Sequence, residues 1–258
     1  MASILYSLTN GVATITLNRP EKYNAFNREM ALSFQSRLDE AGEDPAVRCV
    51  YITGAGKAFS AGQDLAEVVD PDGPGMDKIL SEHYNPIVTR IRLLKKPVVA
   101  AVNGIAAGAG ANLALCCDIT IASSSAFFLQ AFSKIGLIPD SSGTYFLPRL
   151  VGIQKATAYM MLGEKISGEE AEKCGMIYRM YKEELFLTES MGIALTLAQL
   201  PTKALAFTKY ALNESLSNSL EEQLKLEDTY QQKAASTKDF KEGVSAFLEK
   251  RQPKFNGE

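Results

Sequence analysis

The sequence predicts an α/β fold in which parallel strands are connected by helices. Short segments rich in β-branched and apolar residues alternate with longer segments of helical periodicity, as in sheets whose parallel strands need crossover helices. From about residue 154 onward, helix signals dominate. The chain has 258 residues, 46% of them hydrophobic, and is therefore long enough to bury one large core.

The first strand and helix follow from residue patterns near the N-terminus. VATITL at 12–17 alternates β-branched and apolar residues, and the turn-forming residues at 18–24 close this strand. Asn27 is a good N-cap, and the helix after it should end where Gly42 and Asp44 interrupt the pattern. The apolar face of that helix carries Met30, Phe34, Leu38 and Ala41.

Three further strands are predicted in the middle of the chain: VRCVYIT at 47–53, KKPVVAAV at 95–102 and DITIA at 118–122. The segment 54–75 is rich in Gly and small residues, and we interpret it as an irregular loop with a function. An amphipathic helix with a possible kink at Pro86 follows, and NGIAAGAGANLA at 103–114 reads as a turn. The apolar positions of that helix are Met76, Leu80, Tyr84, Ile87, Ile91 and Leu94.

The last third of the chain is predicted to be helical, apart from a strand signal at 175–181. SGEE at 167–170 and SLEE at 219–222 are capping boxes, in which a Ser and a Glu three residues later satisfy exposed N–H groups. Pro201 separates two helical stretches. We expect such a helical unit to close a site or to bind another subunit.

Composition argues against several classes of function. Lys and Arg total 27 against 30 Asp and Glu, so a nucleic-acid surface is not expected. No apolar run is long enough to cross a bilayer, and the N-terminus lacks a basic start before an apolar core, so we expect a cytoplasmic protein. The cysteines lack CxxC spacing and His83 is the sole histidine, so neither a metal site nor a disulfide is expected.

Two turns rich in Gly and Ala, at 58–65 and 103–114, are candidates for a binding site. If such turns lead into helices, their free N–H groups form an anion or oxyanion site. The alternative is that they are tight turns under close packing. GIAAGAG lacks the Lys-Ser/Thr ending of a phosphate loop and the spacing of a dinucleotide-binding loop.

Three segments in order resemble the signature blocks of the crotonase (enoyl-CoA hydratase/isomerase) superfamily: KAFSAGQDL, AAVNGIAAGAGANLALCCDITIAS and FSKIGLIPDSSGTYFLPRLVG. NRPEKYNAFN before them and the helical tail also match, so the resemblance covers essentially the whole chain. It implies a crotonase-type spiral of ββα units over residues 1–195. It also implies a C-terminal helical region over 196–258 through which the chains associate as homotrimers or homohexamers.

The same resemblance implies an active site for acyl-CoA thioesters. The thioester oxygen would lie between the backbone N–H groups of Gln63 and Ala109, and Asp140 would be the acid/base. Hydratases of the family carry two glutamates that activate water, and those positions match Asn112 and Phe132. Neither of these can act as a base, so the resemblance indicates an isomerase.

The segment GLIPDSSGT resembles in particular the isomerases of this family that act in phenylacetate degradation. This resemblance implies that the protein rearranges a ring-epoxide phenylacetyl-CoA to an oxepin, converts 3-enoyl-CoA to 2-enoyl-CoA, or catalyses both reactions. Coenzyme A would be part of the substrate and not a prosthetic group. The alternatives are an enoyl-CoA hydratase and a CoA-binding protein without catalysis.

Further residues are expected to bind the substrate. Lys22, and with it Lys250 or Arg251, would contact the CoA phosphates, although solvated surface charges are an equal alternative. Tyr84, with His83 beside it, would line the acyl pocket. For His83, helical spacing favours a packing or substrate-proximal role over membership of a catalytic triad. The complete set of predicted binding positions is Lys22, Ala25, Ala58, Ala61, Gly62, Asp64, Leu65, Tyr84, Ile105, Gly108, Asn112 and Phe132.

Overall fold

The computed structural model describes residues 2–258, and within them the strands form two sheets. The six-stranded sheet has the order β1 (Ile4–Thr9), β2 (Val12–Leu17), β3 (Cys49–Gly54), β5 (Val98–Val102), β7 (Ile119–Ser123) and β10 (Arg179–Tyr181). The four-stranded sheet has the order β4 (Ala58–Ser60), β6 (Ile105–Ala107), β8 (Phe127–Leu129) and β9 (Lys165–Ser167). Only β1–β2 and β8–β9 are antiparallel pairs among these strands.

The helices of the described chain are α1 (Arg28–Glu43), α2 (Leu65–Val68), α3 (Gly75–Lys78), α4 (Asn85–Leu93), α5 (Ala109–Leu115), α6 (Gly143–Val151), α7 (Ile153–Leu162), α8 (Gly168–Lys173), α9 (Glu183–Gln199), α10 (Thr202–Glu214), α11 (Leu220–Ala235) and α12 (Lys238–Leu248). Short 3₁₀ turns cover Pro20–Lys22 and Ala131–Ile135, and one π-helical segment covers Ile79–Tyr84.

The chain winds as a spiral in which each turn gives one strand to each sheet and then a helix. β3 is followed by β4, β5 by β6 and β7 by β8, and helices or helical turns follow each pair. This confirms the predicted α/β fold built from ββα units. After β10, α9 runs across the predicted boundary at 195/196, and α10, α11 and α12 form the helical C-terminal region.

Strands in the middle of the larger sheet are buried on both faces, which explains why they read as continuous apolar runs. In β5, Val98, Ala100 and Val102 face the core between the sheets and helices. Val99 and Ala101 face the opposite side, where Phe186, Ala194 and Ala198 of α9 cover the sheet. The spiral therefore has one large core and a second layer under α9.

Several predicted elements are confirmed. β2 has the predicted bounds, and the Asn27 side chain accepts a hydrogen bond from the Met30 N–H at the start of α1. The capping box at Ser219 is complete. At Ser167 only one half of the capping box forms, in which the Ser167 hydroxyl accepts a hydrogen bond from the Glu170 N–H. The Glu170 carboxylate instead accepts hydrogen bonds from Lys155 and Tyr159.

The sequence interpretation was wrong for two segments. Residues 54–75 contain β4 and α2, and the supposed turn at 103–114 contains β6 and most of α5. β4 and β6 are three residues long, too short to show periodicity, and their small residues fit because the backbones approach closely. A Cβ added to Gly110 would lie 2.4 Å from the Ser60 carbonyl oxygen.

Within residues 2–258, no helix combines the length and apolarity that a bilayer crossing requires. Cys49, Cys116 and Cys117 are buried, as expected of small apolar residues, whereas Cys174 is half-buried.

Candidate active site

A cavity of about 190 Å³ lies where the starts of α2 and α5 meet the turn before α6. Its wall is mostly apolar. Predicted site residues that line it are Ala61, Gly62, Gln63, Leu65, Tyr84, Gly108, Ala109, Phe132 and Asp140. The structure thus brings the three segments of the family resemblance to one place.

Two backbone N–H groups lie on this wall. Ala109 is the first residue of α5, where an N–H has no partner within its own helix. Neither the Gln63 nor the Ala109 N–H donates a hydrogen bond to another group of residues 2–258. The two segments are adjacent, since a Cβ added to Gly62 would lie 3.2 Å from the Ala109 nitrogen. The pair could therefore receive an oxyanion.

Asp140 lies in a tight turn that directs it to the cavity. Its carbonyl oxygen accepts a hydrogen bond from the Gly143 N–H at 2.8 Å. Ser141 and Ser142 have left-handed backbone with φ of 49° and 66°, a conformation that is unfavourable for non-glycine residues. Such conformations persist where surrounding contacts enforce them, often at functional sites.

The environment of Asp140 makes its carboxyl harder to ionise. Burial raises the pKa of Asp140 above its ordinary range, while a hydrogen bond from the Ser141 hydroxyl at 2.8 Å opposes that effect. A raised pKa makes a carboxyl a stronger base and eases both the uptake and the return of a proton. This behaviour suits an acid/base residue.

Asn112 does not line the cavity but supports the Asp140 turn from behind. Its Nδ2 donates a hydrogen bond to the Asp140 carbonyl at 2.8 Å, and its Oδ1 accepts one from Gln130 at 2.8 Å. It is 1% exposed. A Cβ added to Gly143 would lie 2.3 Å from Asn112 Nδ2, so a glycine is required there. Asn112 therefore contacts the Asp140 turn and not the cavity, so its predicted direct contact with substrate is not supported.

Asn112→Leu keeps the size of the side chain and removes its hydrogen bonds without burying a charge, and is expected to lower kcat about tenfold for a reaction that uses Asp140. The Asp140 carbonyl then keeps only the hydrogen bond from the Gly143 N–H. Steady-state assays of turnover check this, with melting curves to confirm folding. An unchanged kcat would show that the hydrogen bond does not set the position of Asp140.

Phe132 fills the place that the family resemblance assigns to a second carboxylate. It lies in the Ala131–Ile135 turn, is 6% exposed and lines the cavity next to Gly108. Among residues 2–258, the cavity wall has Asp140 as its single carboxylate. An apolar ring at this position leaves no group to hold a water molecule there.

Tyr84 and His83 lie side by side in the π-helical segment but differ in their surroundings. Tyr84 lines the cavity. His83 is buried away from it, and burial lowers the pKa of its imidazole, so the structure supports the packing role for His83. Segments of π-helix occur often at functional sites, where the extra residue per turn re-aims side chains.

The remaining predicted binding residues lie outside the cavity wall. Asp64 caps α2 and forms an ion pair with Arg19 at 2.9 Å. Ala58 and Ile105 pair in neighbouring strands of the smaller sheet, and Ala25 is buried close by. Lys22 is exposed, and Arg251 is ion-paired with Glu242 and Glu249. Contacts of these residues with CoA stay predictions.

Sequence reasoning missed several apolar residues that shape the cavity: Val68, Met76, Ile79, Ala131, Ile135 and Leu137, together with the cation Lys134. Val68 lies in the segment interpreted as an irregular loop. Met76 and Ile79 lie on the predicted helix. The apolar face of a helix has the same sequence pattern whether it packs against the protein core or against a ligand. No group of three or more His, Cys, Asp or Glu side chains in residues 2–258 is arranged to hold a metal ion.

Comparison with known proteins adds to this geometry. A 1,2-epoxyphenylacetyl-CoA isomerase of Escherichia coli (strain K12) is 47% identical over 100% of this chain and 99% of its own length. A protein of Rhodobacter capsulatus named "Probable enoyl-CoA hydratase" is 44% identical over 99% of this chain and 98% of its own. A crystal structure described as that of a "putative Enoyl-CoA hydratase/isomerase from Mycobacterium abscessus" superposes with a TM-score of 0.93 at 39% identity, covering 99% of this chain and 100% of the other.

The ββα spiral and its cavity define an enzyme of the crotonase fold. The sequence model of the enoyl-CoA hydratase/isomerase family matches residues 7–258 of this chain. The chain belongs to the enoyl-CoA hydratase/isomerase family, whose members act on acyl-CoA thioesters.

Proposed function

We propose that the protein is an acyl-CoA isomerase that uses Asp140 as its single acid/base and the Gln63 and Ala109 N–H groups as an oxyanion hole. The observation that carries this proposal is the composition of the cavity wall, which joins these groups and offers one carboxylate among residues 2–258. Coenzyme A enters as part of the substrate.

The reaction follows from these positions. The Asp140 carboxylate removes a proton from the carbon next to the thioester, and the electron pair moves into the carbonyl to give a dienolate. Fixed N–H donors stabilise the negative oxygen without reorganising, and one such donor typically contributes about a hundredfold or more. The protonated Asp140 then returns the proton two carbons away, so the double bond moves and no water is consumed.

The structure favours isomerisation over hydration. Hydration requires a bound, activated water, and the two positions that would supply carboxylates hold Asn112, which hydrogen-bonds behind the Asp140 turn, and Phe132. A parallel assay of 3-enoyl-CoA isomerisation and 2-enoyl-CoA hydration tests the choice. Hydration as fast as isomerisation would favour the hydratase, and binding of acyl-CoA without turnover would favour the non-catalytic alternative.

The acyl group we propose is a ring-epoxide phenylacetyl group, a 3-enoyl group, or both. The similarity to the E. coli 1,2-epoxyphenylacetyl-CoA isomerase supports the first. Both reactions move a proton from the α-carbon to a carbon two positions further along. The epoxide reaction also breaks the ring carbon–carbon bond that the epoxide oxygen bridges, which widens the six-membered ring to the seven-membered oxepin. The apolar wall around Tyr84, Phe132 and Leu137 is compatible with an aryl or alkyl group.

The pKa of Asp140 predicts the pH dependence of activity. Because burial raises that pKa, the carboxylate form is lost at a higher pH than for an exposed aspartate, whose pKa is 3.8. We expect kcat/KM for isomerisation to be constant at high pH and to fall tenfold per pH unit below an apparent pKa above 3.8. A profile that stayed flat down to about pH 4 would contradict this assignment.

We also infer that the protein assembles into trimers or hexamers and acts in the cytoplasm. Large apolar side chains exposed on the single chain support assembly, since patches of this kind mark protein interfaces. They include Ile138 in the turn before α6, Ile153 and Met161 in α7, and Leu220, Phe247 and Leu248 on the C-terminal helices.

A further inference from the structure

The hydroxyl of Tyr84 is buried without a hydrogen-bond partner among residues 2–258. The side chain is 1% exposed, and its ring packs against Phe26 with a centroid distance of 5.9 Å. Yet Tyr84 forms part of the same cavity wall as Asp140. The mechanism described above gives this hydroxyl no task.

A buried tyrosine elsewhere in the protein shows the usual arrangement. Tyr51 is equally buried, and its hydroxyl bonds to Ser190 at 2.8 Å beneath α9. A buried hydroxyl without a partner costs free energy that a phenylalanine would avoid. The partner that the Tyr84 hydroxyl lacks within residues 2–258 would be supplied by a ligand in the cavity that this residue lines.

Burial and the nearby Asp140 charge raise the pKa of Tyr84 well above its ordinary value, so the phenol keeps its proton. A neutral phenol needs an acceptor for that proton, and an epoxide oxygen offers one. The thioester oxygen is already assigned to the Gln63 and Ala109 N–H groups. The remaining acceptor would lie further along the acyl group.

Building on the proposed isomerase function, we propose that the Tyr84 hydroxyl donates a hydrogen bond to an oxygen carried by the acyl group, as the ring oxygen of an aryl epoxide is. The bond orients the ring so that the α-carbon faces Asp140, and it selects oxygen-bearing aryl groups over linear enoyl groups. Tyr84 is thus a specificity-determining residue, with no covalent role.

The test measures the dissociation constants of two unreactive ligands, phenylacetyl-CoA and (2-hydroxyphenyl)acetyl-CoA, which differ by one oxygen beside the side-chain carbon. The wild-type protein is expected to bind the second ligand about fivefold more tightly, as one neutral hydrogen bond allows. Tyr84→Phe should abolish the difference. Tyr6→Phe, which removes another buried and unpartnered hydroxyl away from the cavity, should preserve it.

Tyr6→Phe, at a residue outside the cavity wall, is expected to isomerise a linear 3-enoyl-CoA within about twofold of wild type. A ligand preference that survives in Tyr84→Phe, or that is absent from wild type, would overturn the proposal. If wild type bound both ligands with the expected preference but isomerised nothing, the proposed function would fail and the role of Tyr84 would stand.

Discussion

Asp140→Asn is expected to lower kcat for conversion of a 3-enoyl-CoA to the conjugated 2-enoyl-CoA by about a thousandfold. The amide keeps the shape of the side chain and can still accept the Ser141 hydrogen bond, but it cannot remove a proton. KM should change little, because the N–H groups of Gln63 and Ala109 remain. The Asp77→Asn variant makes the same chemical change at an exposed position and should retain full activity.

The Asp140→Asn variant should be more stable than wild type near neutral pH. Because the folded-state pKa of Asp140 is raised, ionisation of this residue opposes folding. The wild-type protein therefore loses stability as pH rises from the unfolded-state pKa through the folded-state pKa. Asparagine does not ionise. The gain in melting temperature should therefore be larger at about pH 7.5 than at about pH 4. An Asp140→Asn protein that was inactive because it was unfolded would fail this second measurement.

Gly62→Ala is expected to lower kcat/KM by about a hundredfold, the effect of losing one oxyanion donor. Gly62 has φ of 91°, and an added Cβ would lie 2.9 Å from the Ala107 carbonyl and 3.2 Å from the Ala109 nitrogen. The methyl group would push apart the two segments that carry the N–H donors. The substitution thus tests main-chain groups that no side-chain change reaches directly.

Gly152→Ala is the matched control for backbone strain. Gly152 also has a positive φ, of 78°, but an added Cβ would meet no atom within 4 Å, and the residue lies outside the cavity wall. Its activity per folded molecule should therefore equal that of wild type. If Gly62→Ala kept wild-type kcat/KM while folded, the Gln63 and Ala109 donors would not be the oxyanion hole.

The sequence was sufficient to predict the α/β class, and with the family resemblance the spiral, because buried apolar runs and caps are local features. It was not sufficient to predict β4, β6, β8 and β9, because these strands are three residues long and too short to show an alternation of apolar and polar residues. β1 was missed although Asn10-Gly11, with φ of 50° and 78°, is a hairpin turn signal. The turn dipeptide could have revealed it.

Residues of the cavity wall could be identified where a sequence motif contains them and were missed where tertiary packing decides. Gln63, Ala109 and Asp140 line one cavity, and their roles in it stay predictions. The role of Asn112 behind the Asp140 turn depends on two hydrogen bonds across the fold, which no spacing in the sequence encodes. The unpartnered Tyr84 hydroxyl is likewise a property of the packed structure.

The central claim, proton transfer by one carboxylate without water addition, is tested most directly by the fate of a deuterium label. A 3-enoyl-CoA deuterated at the α-carbon is converted by the wild-type protein, and the products are identified by NMR. We predict 2-enoyl-CoA with deuterium at the carbon two positions further along, because Asp140 returns the atom that it removed. A 3-hydroxyacyl-CoA as the main product would contradict this account, since its formation requires an activated water.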